Sequence, residues 1–88
     1  MRRTITMIQL FIISVIIFAV VYYILGKYDG TSFNKKRELS IIEAIYFSFV
    51  TQSTIGYGDF SPNTHIAKIV VIIHILVTYI LFGLTVLV

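Results

Sequence analysis

The sequence predicts an all-α membrane protein in which two membrane-spanning helices flank a third helix too short to cross a bilayer. Three observations predict this class. Hydrophobic residues fill 58% of only 88 positions, and the mean hydropathy is +0.96. A soluble domain this short buries only about 60% of its surface and needs a polar exterior. The apolar residues also fall into two uncharged runs, nineteen positions from Met7 to Leu25 and twenty from Ile69 to Val88. At ~1.5 Å per residue each run reaches about 30 Å, the thickness of a hydrocarbon core. Between them lies a shorter apolar stretch with a helix-starting signal.

The first six residues form a stub carrying Arg2 and Arg3. A secretory signal would also begin with basic residues, but its apolar region spans about 7 to 15 positions before a small-residue cleavage site. This run is longer and leads into Gly26-Lys27-Tyr28-Asp29, which favours a retained span. Tyr22, Tyr23 and Tyr28 cluster at its end, where tyrosines mark the membrane–water interface. Helix packing would account for one of them. Residues 26 to 39 are polar, with Asp29-Gly30 as a breaker.

Ser40-Ile41-Ile42-Glu43 then has the spacing of a capping box, a serine cap with glutamate three residues later. A helix from Ile41 to about Gln52 would be some 17 Å long. It is too short to span and too apolar to lie in water, so it is expected to be re-entrant. Its C-terminal end would carry about half a negative charge into the membrane. Pro62 ends the following segment, and Asn63 is a candidate cap for the second span. On that span His74, Thr78 and Thr85 fall within about 40° of one another at 100° per residue. A polar face inside a membrane points to protein or water rather than lipid. A water-filled cavity lining is one reading of it; a neutral His74 packed against the short helix is the favoured one. Phe82, near the same face, is a candidate hydrophobic constriction or a lipid-facing residue, with Gly83 beside it able to permit bending or close helix packing.

Thr51 to Asp59 reads TQSTIGYGD. Glycine lacks Cβ, so Gly56 and Gly58 can take the positive φ that turns successive carbonyls one way. Such a strand suits a dehydrated cation, which needs a dense set of oxygens to replace its water. Thr54 can add its hydroxyl to that column. The stretch from Thr54 to Asp59, preceded by Thr51 and Ser53, resembles the potassium-channel signature. By that resemblance the carbonyls of Thr54, Ile55, Gly56 and Tyr57 form K⁺ sites, with Gly58 closing the filter. Ser53, Asp59, Tyr46 and Phe47 support it. Residues 7–25 then correspond to an outer helix, 26–40 to a turret, 41–52 to a pore helix, 53–59 to the filter and 66–88 to an inner helix, all in one pore domain. Family members often place two tryptophans and an acid behind the filter. This chain has Tyr46, Phe47 and Val50 there, so Asp59 lacks its usual acidic partner.

The two-span layout, with Ala67-Lys68-Ile69 followed by His74, is similar to the miniature potassium channels of algae-infecting viruses. That similarity implies a homotetramer in a lipid bilayer, potassium selectivity, block by Ba²⁺, a host-cell membrane, and both termini in the cytoplasm. A tetramer also follows from counting, because one chain supplies one filter strand and caging an axial ion takes several. Charge alone points the other way on orientation. Five cations lie in the middle segment and at the second span's start, against two arginines at the N-terminus.

The other function classes are disfavoured. The chain has no cysteine, so disulfides and thiol catalysis are out of reach. His65 and His74 alone make a poor metal site, and no nucleophile–base pair suggests an enzyme. No cofactor beyond permeant K⁺ is expected. The net charge of +3 is split among short clusters that suit lipid headgroups rather than nucleic acid. A non-selective cation channel of the same fold is the first alternative, and Tyr57 argues against it. A small structural or lysis-promoting membrane protein is the second, and it would have no use for the Gly-Tyr-Gly element.

Overall fold

Apolar runs this long have nowhere to satisfy their backbone in lipid except within a helix. The computed structural model describes residues 2–34, 37–53, 56 and 59–87, with side chains placed from residue 4 to residue 84 within those ranges. It contains α1 (Arg2–Tyr28), α2 (Ile41–Gln52) and α3 (His65–Leu87). The molecule is 43 Å long and about 22 Å wide. Helix α1 starts at Arg2, so the six-residue stub is part of the helix rather than a separate piece, and it runs three residues past Leu25. Nothing in residues 2 to 6 breaks a helix, and the turn chemistry begins only at Asp29. There the Asp29 carboxylate accepts the Thr31 N–H at 3.0 Å and the Thr31 hydroxyl at 2.6 Å. These bonds hold the exposed Asp29 carboxyl below its usual range.

The capping box is formed. The Glu43 N–H donates to Ser40 Oγ at 3.1 Å, and Glu43 Oε1 accepts the Ser40 N–H at 2.9 Å. Arg37 adds a two-pronged ion pair to the same carboxylate, 2.8 Å on each arm. These bonds, the guanidinium foremost, draw the Glu43 carboxyl down to about 2. Helix α3 is capped by Thr64 rather than Asn63: Thr64 Oγ1 accepts the Ala67 N–H at 3.2 Å. Asn63 instead turns back to the loop after α1, its N–H donating to the Ser32 carbonyl at 2.7 Å.

The pattern of burial is inverted relative to a water-soluble bundle. Isoleucines 12, 16 and 24 on α1 and 69, 72 and 80 on α3 stand exposed, whereas Ser14, Ser48, Gln52, His74 and Thr78 are buried. Lipid welcomes the first set, and only protein can satisfy the second. The apolar core is small and aromatic: Tyr22, Phe33 and Phe47 meet edge to face around Leu39 and Ala44. Tyr22 is wholly buried in it, while Tyr28 is 91% exposed, so packing explains Tyr22 and the membrane–water interface suits Tyr28. Gly26 lets the loop close onto α1, since a Cβ there would stand 3.3 Å from the Leu39 nitrogen.

Candidate functional site

The residues that flank the Gly-Tyr-Gly stretch are held by all three helices and by the loop after α1. Helix α2 delivers the chain to it. Gln52 closes the helix, and the Ser53 N–H donates to the Phe49 carbonyl at 2.9 Å. Within the stretch, Gly56 has φ +60°, in the left-handed region that favours glycine. Among the described residues of the chain, a Cβ at Gly56 would meet nothing within 4 Å. The left-handed backbone conformation is what disfavours a side chain there. Thr54, Ile55, Tyr57 and Gly58 lie outside the described residues.

Asp59 follows, and its supports are now visible. The Tyr46 hydroxyl donates to Asp59 Oδ2 at 2.8 Å, and the Phe60 N–H donates to Oδ1 at 3.1 Å. Tyr46 also packs edge-on against Phe60, with ring centroids 5.9 Å apart. From the other side, Asn34 Nδ2 donates to the Asp59 carbonyl at 3.0 Å while Asn34 Oδ1 accepts the Ser61 N–H at 3.1 Å. The Asn34 N–H then donates to the Ser61 carbonyl at 3.0 Å, beside an antiparallel bridge between Phe33 and Pro62. Asp59 is thus held by a tyrosine on α2 and an asparagine in the loop after α1. Phe47, the next residue of α2, is buried instead against the loop and α1, its ring 4.9 Å from Tyr22 and 5.3 Å from Phe33.

Below this collar, α2 is bonded to both long helices. The Ser48 hydroxyl donates to the Val15 carbonyl at 2.8 Å. Gln52 Nε2 donates to the Phe11 carbonyl, and Gln52 Oε1 lies 2.9 Å from both Ser14 Oγ and His74 Nε2. His74 is wholly buried and stacks on Phe18 at 4.0 Å. Thr78, also buried, donates back to the His74 carbonyl at 2.9 Å. Phe82 stacks on Phe11 of α1 at 6.0 Å. The described part of the polar face on α3 is therefore directed at α1 and α2 of the same chain, and the Thr85 side chain is outside the described ones. Among the described residues, a Cβ added at Gly83 would meet nothing within 4 Å outside its own helix.

A family profile described as "Ion channel" matches residues 10–88. The chain belongs to the ion-channel family. The channel is 35% identical over 74 residues to the potassium channel protein kcv of Paramecium bursaria Chlorella virus 1, a match covering 83% of this chain and 79% of that one. It is 38% identical over 64 residues to two-pore potassium channel 2 of Arabidopsis thaliana, covering 68% of this chain but 14% of the plant protein. The potassium voltage-gated channel protein Shal of Drosophila melanogaster is 41% identical over 58 residues, 65% of this chain and 9% of Shal. The channel therefore spans most of the viral relative and only a small part of the plant and fly ones. No solved structure matches it.

The family conducts ions and is not a family of enzymes. Among the described residues no group of three His, Cys, Asp or Glu could hold a metal ion. Thr4–Tyr28 and His65–Leu84 are long and apolar enough to cross a membrane. Together with the family, they make this channel a membrane protein.

Sequence reasoning did not single out Asn34, Ser48 or Gln52 for these roles. The signal available for the last two was their polarity on a short, largely apolar helix. Asn34 carried none, because its partners lie 25 and 27 residues away.

Proposed function

We infer that the channel conducts K⁺ selectively, as a homotetramer in which four copies of residues 53–59 line one axis. The observation that carries this reading is the sequence TQSTIGYGD placed directly after the C-terminus of a short helix, with Gly56 at φ +60°. In this reading the carbonyls of Thr54, Ile55, Gly56 and Tyr57 and the Thr54 hydroxyl replace the water around K⁺. The carbonyl end of α2 faces the ion path, and four partial negative charges favour a cation there. The potassium channels among the relatives support the choice of ion. Ba²⁺, close to K⁺ in size and doubly charged, is expected to block.

Tetramerisation follows from the same premise, because one protomer offers one strand and would leave its polar backbone in lipid. The collar around Asp59 lies at the outer mouth, and both termini lie in the cytoplasm. If the channel is viral in origin, the host-cell membrane is where it acts.

The test is reconstitution in a planar bilayer, with the reversal potential measured under a KCl/NaCl gradient. The reading predicts a reversal near the K⁺ equilibrium potential, abolished in Gly56→Ser. A reversal near zero with conductance intact would overturn selectivity and favour a non-selective cation pore.

A further inference from the structure

Polar side chains from three helices meet at one buried point, one residue before the segment that begins at Ser53. Gln52 is 3% exposed, and His74 is wholly buried. The Gln52 amide is oriented by its own donor, because Nε2 gives its hydrogen to the Phe11 carbonyl at 2.9 Å. Its oxygen therefore faces Ser14 Oγ and His74 Nε2, both at 2.9 Å. An oxygen only accepts, so the imidazole hydrogen sits on Nε2. His74 Nδ1 is then left to accept the Tyr22 hydroxyl, 2.7 Å away. The result is a directional chain: Tyr22 donates to His74, and His74 and Ser14 donate to Gln52. Phe18 lies flat on the imidazole, 5° from parallel, and fixes the plane of the ring.

Apolar side chains would serve to pack these helices, as they do elsewhere in lipid. A hydrogen-bonded chain does something further. With no water to replace a broken bond, a shift of α3 against α2 has to leave polar groups unpaired. The end of α2 is thereby registered against both spans.

We propose that His74 is a positioning residue which, through Gln52, fixes the inner end of the segment starting at Ser53, so that ion selection and block depend on the bond between α3 and α2. The proposal rests on the potassium-channel reading and deepens it. His74 does not touch the ion; it acts through the amide that ends the short helix.

The experiment is single-channel recording in planar bilayers, with three readouts: the K⁺/Na⁺ permeability ratio, the half-blocking Ba²⁺ concentration and the mean open time. Recovery of the tetramer in detergent is measured alongside. His74→Leu and Gln52→Leu are each expected to shift the Ba²⁺ concentration by about tenfold, a change equal to ~1.4 kcal/mol. His74→Gln keeps a donor for Gln52 and an acceptor for Tyr22, and is expected to restore block to near the unmutated value. The double variant is expected to be no worse than either single one. Tyr22→Phe leaves the ring, its stacking and the Gln52 bond in place. It is expected to give a smaller shift in the same direction, and it serves where a leucine variant fails to assemble.

Unchanged selectivity, block and open time in Tyr22→Phe and in every leucine variant that assembles would overturn the proposal, leaving the network a helix tie alone. Additive effects in the double variant would overturn the route through Gln52. Absence of K⁺ selectivity in the unmutated protein would overturn the K⁺-selective reading on which the proposal rests, which the variants do not test.

Discussion

The collar around Asp59 and the network around Gln52 use bonds of similar length for different ends. Around Asp59, Asn34 and Tyr46 make bonds of 2.8 to 3.1 Å on exposed groups. Around Gln52, bonds of 2.7 to 2.9 Å join buried side chains to one another and to the part-buried Phe11 carbonyl. Water can replace any bond in the first set, so each contributes little by itself and the collar depends on their number. Nothing in lipid replaces a bond of the second set, so the network around Gln52 tolerates little loss. The difference teaches that the surroundings of a polar group, more than its geometry, decide how firmly it holds the chain. Between the two lies the aromatic core of Tyr22, Phe33 and Phe47, which mechanically joins them.

Removing that joint gives the largest expected effect. Phe47→Ala opens a cavity under both regions and is expected to cost about 3 kcal/mol or more, read as a lowered thermal midpoint of the detergent-solubilised protein. A midpoint within a degree of the unmutated protein would separate collar from network. Ser48→Ala comes next. It strips one buried donor from the Val15 carbonyl and is expected to cost about 1 kcal/mol, measured the same way. Tyr46→Phe removes one of the exposed bonds to Asp59. It is expected to lower the midpoint less than Ser48→Ala while shortening single-channel openings, since the residue after the Gly-Tyr-Gly stretch is then held on fewer sides. A loss of stability larger than that of Ser48→Ala would reverse the proposed ranking of the two regions.

The smallest effect is electrostatic and sits at the start of α2. The Arg37 guanidinium and the Ser40 N–H hold the Glu43 carboxyl down at about 2, below the ordinary glutamate value of about 4.3. Stability from this depressed carboxyl is fully present above the ordinary value and lost as pH falls through the folded one. The difference in thermal midpoint between the unmutated protein and Glu43→Gln should therefore hold constant from neutral pH to about 5. It should shrink below that and vanish near pH 2. Because the pair is exposed, added salt should shrink it too. A difference that grows on acidification would contradict the assignment.

The fold was largely legible because its signals are local. Run length and the absence of charge marked both spans, and the spacing of Ser40 and Glu43 marked the start of α2. The ends were less so. Helix α1 begins at Arg2 since helical geometry continues until something stops it. Thr64 rather than Asn63 caps α3 because Asn63 is drawn to the Ser32 carbonyl, a partner far away in sequence. The site was legible in part. TQSTIGYGD is a contiguous motif with backbone demands that residue types reveal. Its supports are not contiguous: Asn34 reaches Asp59 across the loop, and Ser14, Gln52 and His74 meet from three helices.

By itself, the sequence determined which segments must be helical, which stretch needs glycine, and that polar residues on a membrane helix must find partners. Those are consequences of backbone saturation in lipid and of glycine's missing Cβ, and both act within a few residues. Only the tertiary structure decided who the partners are. Helical spacing placed His74 and Thr78 on one face of α3, but the rotation of α3 about its own axis set what that face meets. The packing of Phe18, Tyr22 and Phe47 fixes that rotation, and so gives His74 a glutamine, a tyrosine and an aromatic face as its surroundings.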